Sequence, residues 1–151
     1  MGDQPAWKEI AERLALIIRT TDSMKEIGGR DHTHVGLFER SNPLPNIHIF
    51  PAPQTASQTR YVGGPEHILH RFILRYAVPY TDNIDYGKLS HFADAVRSMF
   101  RKPNHRLPVG TQGDLANVIT SKFTGASDPR RILGVYAYLD VFVDVPYRRT
   151  T

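Results

Sequence analysis

The sequence predicts an α+β protein with a mixed or antiparallel sheet and two amphipathic helices packed on one face of that sheet. Two segments repeat apolar residues at helical spacing, and two long segments alternate at strand spacing. The elements follow the order helix, strand, strand, helix, strand, strand. Packing both helices on one side of the sheet hides the apolar stripe of each helix and the apolar side of each long strand.

Length and composition favour one domain over residues 1–151, large enough to bury about two thirds of the unfolded surface. Segments 20–45 and 51–65 are expected to be rich in loops. No apolar run approaches the ~20 residues of a membrane span, and the first residues lack a secretion signal. The absence of cysteine excludes disulfides and fits an intracellular or particle-associated protein. The net charge of +4 is dispersed, which is typical of a solvated surface.

The first helix is predicted to end near Arg19, before a poorly patterned stretch from Thr20 to Pro45. Asp3 can cap this helix and Pro5 suits its first turn. An apolar stripe predicts core packing and comprises Trp7, Ile10, Leu14, Ile17 and Ile18.

A short strand follows over Asn46 to Phe50, with prolines on both sides. Because proline cannot donate to a ladder, these prolines indicate an edge strand. The next segment, Gln54 to Pro65, is predicted to be a polar connection. It has too little apolar content to fold alone, which suits a loop that becomes ordered on contact with a partner.

The first long strand is predicted over His70 to Pro79. One of its faces carries Phe72, Leu74, Tyr76 and Val78, and the other carries Arg71, Ile73, Arg75 and Ala77. The second helix can be capped by Asp82, Asn83 or Asp85 and extends to Arg101, with an apolar stripe of Tyr86, Leu89, Ala93, Val96 and Phe100.

A weaker element from Asp114 to Thr124 is predicted to be a third strand or a short helix leading into one, and 125–129 a turn. The last strand is predicted to run from Arg131 to Val145. One face of this strand is apolar throughout and carries Leu133, Val135, Ala137, Leu139, Val141, Val143 and Val145. The other face mixes aromatic and acidic residues and carries Ile132, Gly134, Tyr136, Tyr138, Asp140, Phe142 and Asp144.

The helix-free face of the sheet is therefore a candidate protein–protein interface. It is expected to expose Arg71, Ile73, Arg75, Tyr136, Tyr138, Asp140, Phe142 and Asp144. Arginine and aromatic residues are enriched at the centres of interfaces, and the arginines and aspartates can also pair across the sheet. The alternative is an ordinary two-sided sheet with an aromatic polar side. Under the interface hypothesis Tyr138→Glu disrupts assembly and leaves a folded monomer; an unfolded variant would mean that Tyr138 is a core residue.

Candidate chemistry is sparse, and we predict no catalytic residue, no metal site and no cofactor. Asp31, His32 and His34 lie close together, but zinc requires three or four organised ligands and the sequence supplies no clear third and fourth. His67 and His70 would meet only on a helix, whereas a strand is predicted there. No nucleophile elbow or phosphate-binding loop is present. The prediction is a protein that is not an enzyme.

The order, lengths and patterns of the elements from Ala6 to Val145 resemble those of tail terminator (tail completion) proteins of long-tailed bacteriophages, including the lambda type. The resemblance includes the strand RFILRYAVPYTD, the helix YGKLSHFADAVRSMF and the segment DLANVITSKFTGASDPRRILGVYAYLDVFVDV. It lies in this arrangement and in no short motif. Head-closure and neck proteins of the same particles have related folds.

The resemblance implies a structural virion protein, assembled in the host cytoplasm, that forms a homohexameric ring. Such a ring caps the tail tube, ends tail elongation and provides the surface for head attachment. The implied partners are other copies of the chain, the tail-tube protein and the head–tail connector or neck protein. DNA would pass only transiently through the lumen, and no membrane is involved. A head–tail connector or neck protein is the alternative, and a small α+β enzyme or ligand-binding domain is a more distant one.

Overall fold

Seven strands form one mixed sheet in the computed structural model, which describes residues 6–24, 27, 30–36, 44–52, 56–59, 66–79, 86–132 and 136–149. The elements are α1 (Ala6–Thr20), β1 (Thr33–Val35), β2 (Asn46–Pro51), β3 (Ala56–Thr59), β4 (Glu66–Pro79), α2 (Tyr86–Met99), β5 (Lys122–Ala126), β6 (Arg130–Ile132) and β7 (Tyr136–Arg149). Short 3₁₀ turns lie at Asp22–Met24 and Arg30–His32. The predicted α+β fold is confirmed.

The sheet is built around β4 and β7, which pair antiparallel along all 14 residues of each strand. The strand order is β1-β2-β4-β7-β5, with β3 also paired to β4 and β6 to β7. Only the β1–β2 pair is parallel among the described strands. This register places Phe72 opposite Val143 and Leu74 opposite Val141, so the apolar sides of the two long strands coincide.

Both helices pack on that apolar side of the sheet. Ile10, Leu14 and Ile18 of α1 are fully buried in one cluster with residues of β2, β4 and β7. Phe92 of α2 is fully buried and stacks on Tyr76 of β4, with ring centroids 5.0 Å apart. The helix periodicity therefore predicted the packing, because the spacing of apolar residues matches the helical repeat. Two predicted stripe residues are exposed instead: Trp7 and Tyr86, each in the first turn of its helix.

The long carboxyl-terminal strand differs from its prediction at the amino end. Residues Arg130–Ile132 form the separate strand β6, which runs antiparallel to β7 and places Ile132 opposite Tyr136. A continuous strand from Arg131 is therefore wrong, because alternation alone does not reveal a reversal of chain direction. The strand also continues beyond Val145 to Arg149. The predicted core positions Leu133 and Val135 lie outside the described residues.

Four further predictions need correction or extension. β2 is not an edge strand, because β1 lies beside it. Pro51 is the last residue of β2, where its lack of a backbone N–H removes little of the hydrogen bonding between the strands. The predicted polar connection contains the strand β3. Within 114–124 only Lys122 onward is a strand, and that strand continues through Gly125 and Ala126, which were predicted as a turn. The predicted helix caps at Asp3, Asp82, Asn83 and Asp85 lie outside the described residues.

Candidate interface on the open sheet face

The side of the sheet opposite the helices, called the open face from here on, carries all eight predicted interface residues. The register pairs Arg71 with Asp144, Ile73 with Phe142, and Arg75 with Asp140, while Tyr138 and Tyr136 lie opposite Ala77 and Pro79. Directly opposed residues in an antiparallel pair project from the same side of the sheet. The sequence therefore placed these eight residues on the same face of the sheet correctly.

The expected exposure of these residues is only partly correct. Arg71 is exposed, and four others are half-buried: Ile73, Arg75, Tyr138 and Phe142. Tyr136, Asp140 and Asp144 are buried. Both buried aspartates have an arginine of β4 as their partner.

Two ion pairs cross the sheet from β4 to β7, as the sequence predicted. The Nε atom of Arg75 donates to Oδ1 of Asp140 at 2.8 Å, and its Nη2 atom donates to Oδ2 at 3.0 Å. The Nε atom of Arg71 lies 3.2 Å from Oδ1 of Asp144 and donates to its Oδ2 at 3.4 Å. The first pair is bidentate and short, and the second is longer and uses a single arginine nitrogen.

Arg75 is also held between two aromatic rings. Its guanidinium carbon lies 4.2 Å from the ring centroid of Tyr138 and 5.3 Å from that of Phe50. The hydrogen bonds to Asp140 raise the pKa of Arg75, against the opposing effect of its burial. A half-buried cation with a bidentate partner and two aromatic faces is fixed in one conformation, so Arg75 organises the open face.

Apolar and charged rows alternate along the open face. Phe50, Ile73 and Phe142 are aligned across β2, β4 and β7, between the row of Arg75–Asp140 and the row of Arg71–Asp144. All three apolar side chains are half-buried. Beyond Arg71 comes another apolar row, in which Leu69 lies opposite Pro146. An alternation of this kind presents partly exposed apolar surface between fixed charges.

Sequence reasoning missed several members of the open face. Phe50 and His48 belong to it because they lie opposite Ile73 and Arg75. Lys122 lies opposite Asp144, and Arg130 lies opposite Tyr138. Arg148, opposite His67, is a further exposed cation on this side. Their own segments are too short or too irregular to show alternation, so only the pairing with β4 and β7 assigns them to the face.

A second polar cluster lies in the loop after α2. The Ser121 hydroxyl donates to the carbonyl of His105 at 2.9 Å, and its oxygen lies 3.0 Å from Nδ1 of the same histidine. Burial lowers the pKa of His105. Ser121 is only 1% exposed, so its hydroxyl is closed to any substrate. The His105–Ser121 hydrogen bonds connect the loop after α2 to Ser121, the residue directly before β5.

The histidines considered for zinc lie in two parts of the fold, His32 and His34 around the start of β1 and His67 and His70 on β4. Across the described ranges, no group of three or more histidine, aspartate or glutamate side chains is arranged to hold a metal ion. His34 packs against His48 on the neighbouring strand, with ring centroids 5.4 Å apart. His70 lies on the helix-covered side of β4, buried against the rings of Phe72 and Tyr147.

A cleft of about 480 Å³ lies where α1 meets the edge strand β1, and its lining includes Leu16, Arg19, His34 and Val35. Arg19 donates to the carbonyl of Thr33, which ties the helix to the strand beside the cleft. Neither described helix is long and apolar enough to cross a membrane.

Several chains of solved structures resemble this protein in fold. No family model and no curated protein match this sequence. A chain from the solved virion of a native gene transfer agent (GTA) particle matches with a TM-score of 0.58 and 13% sequence identity. The match covers 96% of this chain and 99% of that chain. The two chains therefore share their fold over nearly their whole lengths.

Proposed function

We propose that this protein is a structural component of a phage-like virion. The observation that carries the proposal is the likeness, over nearly the whole of both chains, to a chain of a GTA virion. The resemblance of the element order to phage tail terminators is consistent with the same class of protein. We place the protein in the tail or neck of the particle, assembled in the host cytoplasm.

Within that class we propose a tail terminator, formed by residues 1–151 as a single domain. Copies of the chain close into a ring, which we infer to be a hexamer, on the end of the tail tube. The ring stops tube growth and provides the head-attachment surface. Ring closure requires two different surfaces on each copy, and axial contacts with the tube and the neck require further ones. DNA passes the lumen only transiently.

The open face is our candidate for one of these contact surfaces. Its half-buried row of Phe50, Ile73 and Phe142 lies between two ion pairs, which matches the mixture of apolar and arginine side chains found at interface centres. Two polar clusters of the described residues, Arg75–Asp140 and His105–Ser121, are closed by their own contacts. We therefore propose that the protein acts by binding and not by catalysis.

Electron microscopy of particles assembled without this protein tests the proposal. A terminator predicts tails of uncontrolled length that resume a single length when the protein is supplied. Tails of normal length with detached or leaking heads would support the alternative, a head–tail connector or neck protein. Normal, complete particles would contradict both roles.

Light scattering of the purified chain, alone and with isolated tail tubes, tests the ring. We expect a hexamer alone or a hexamer formed on the tubes. A chain that remains monomeric under both conditions would contradict ring formation.

A further inference from the structure

The open face carries more basic than acidic side chains. The described strand positions on this side include five basic side chains, namely Arg71, Arg75, Lys122, Arg130 and Arg148, and two acidic ones, Asp140 and Asp144. Both carboxylates already have arginine partners. The described strand positions of this face thus have an excess of three positive charges.

The two arginines of β4 differ in how many of their guanidinium nitrogens remain available to bind a partner. Arg75 uses two nitrogens on Asp140, and its side chain is 25% exposed. Arg71 bonds Asp144 through Nε alone and is 48% exposed, and its two terminal nitrogens have no partner within the described part of the chain. Lys122, directly across from Asp144 on β5, is also exposed. Arg71 and Lys122 therefore flank one carboxylate and leave one positive charge unneutralised.

The apolar residues around Arg71 and Lys122 indicate which class of partner would bind there. Ile73 and Phe142 lie on one side of the Arg71 row, and Leu69 and Pro146 on the other, all of them half-buried. A phosphate backbone favours a basic and polar groove. A protein partner can place a carboxylate on the arginine and apolar side chains on the rows beside it, which is the usual anatomy of an interface.

We propose that the Arg71–Lys122 row is a docking site for an acidic, partly apolar segment of a different protein. The open face of another copy is a poor occupant, because it carries the same excess of positive charge and two such faces would repel each other. This inference rests on the proposed virion function and specifies the chemistry of one partner.

Fluorescence anisotropy of the full chain with labelled probes tests the site. The probes are a peptide of alternating glutamate and leucine, the same peptide with serine in place of leucine, and duplex DNA. We expect the leucine peptide to bind more tightly than the other two. Arg71→Gln combined with Lys122→Gln should weaken that binding by about tenfold. The matched control is Arg97→Gln with Arg101→Gln, which removes the same charge from exposed positions at the end of α2.

An equal loss in the control would mean general charge attraction and would overturn the site. Tighter binding of duplex DNA, lost with Arg71 and Lys122, would also overturn it in favour of nucleic acid. Because Lys122 is exposed and forms no described ion pair, Lys122→Gln alone keeps the test valid if the double variant unfolds. The assay uses no particles, so its failure is distinguishable from failure of the virion role, which tail morphology tests.

Discussion

Arg75 on β4 and Asp140 on β7 form a bidentate ion pair across the centre of the open face, with N–O distances of 2.8 and 3.0 Å. Four residues away on each strand, Arg71 and Asp144 repeat the pairing with a longer contact of 3.2 Å. The repeated spacing places both pairs on the same side of the sheet. The two pairs differ in geometry as well as in the exposure of the arginine, and both differences make Arg75–Asp140 the stronger pair.

We expect Asp140→Asn to destabilise the protein by about 3 kcal/mol. The substitution leaves the half-buried Arg75 cation without its carboxylate, and an unpaired buried charge is costly. Asp144→Asn is the control and should cost about 1 kcal/mol or less, since exposed Arg71 can be solvated by water. Urea unfolding measures both. Equal costs would show that neither the burial of the arginine nor the bidentate geometry decides how much these pairs contribute to stability.

Asp140→Leu combined with Arg75→Met should recover most of the stability lost in Asp140→Asn, because removing both charges leaves no unpaired group. The same urea experiment measures this. A double variant less stable than Asp140→Asn would mean that the pair contributes more than the cost of burying its charges.

Ile73→Glu is expected to disrupt assembly while preserving the fold. Ile73 is half-buried between Phe50 and Phe142, so a partner that covers this row would have to bury the new carboxylate. Ser90→Glu, at an exposed position of α2, is the control. Light scattering with tail tubes and a thermal melt would separate assembly from folding. Unchanged assembly in Ile73→Glu would exclude this row from the contact.

Tyr138→Glu does not test the interface alone, because Tyr138 also makes a contact within the chain. The Tyr138 ring covers the Arg75 guanidinium at 4.2 Å, so its removal also alters a contact within the chain. Loss of assembly in this variant is therefore informative only if its melting temperature is unchanged.

The sequence predicted that the arginines of β4 and the aspartates of β7 share one face and can pair across the sheet, because side-chain alternation in two long strands is a strong signal. It did not assign the partners Arg71–Asp144 and Arg75–Asp140, which the strand register determines. It did not predict β1, whose three residues gain their structure from the parallel partner Ile47–Ile49. The change of chain direction between β6 and β7 was missed for a related reason. The residues Arg130–Ile132 follow the same alternation as β7, so the sequence pattern does not separate the two strands. Short strands are determined by contacts distant in sequence, which a local pattern does not contain.

His70 should make the protein less stable in mild acid. Its side chain is only 8% exposed, neither ring nitrogen has a hydrogen-bond partner in the described structure, and burial lowers its pKa. The unfolded chain, with a histidine pKa of about 6.5, therefore binds more protons, and stability falls as the pH drops below that value. Urea unfolding at pH 7.5 and pH 5 measures the loss.

Two substitutions distinguish the effect of the charge of His70 on stability from the effect of burying a polar side chain. His70→Gln should reduce the pH dependence but keep a buried polar group. His70→Phe should reduce it and also raise stability at pH 5 by about 1 kcal/mol. His105, whose pKa burial also lowers, would account for the pH dependence that remains. A wild-type pH dependence in both variants would show that His70 is not a source of it.

Arg13 should control the opening of the loop between α2 and β5. Its Nη1 atom donates to the carbonyls of Leu107 at 3.0 Å and Gly113 at 2.9 Å, so one helix side chain fastens both ends of a turn. Leu107 adopts a left-handed conformation with φ of 58°, which is strained for a residue with a branched side chain and needs such support.

We expect Arg13→Met to speed hydrogen exchange of the Gln112 and Leu115 amides by about tenfold, because these amides bond within the fastened loop and local opening exposes them. Exchange in the paired centre of β4 should change less, since its bonds do not depend on the loop. Arg97→Met, on the exposed side of α2, is the control and should leave the loop amides unchanged. Equal acceleration at the β4 amides would mean that Arg13 acts on global stability, and no acceleration would mean that the loop holds without it.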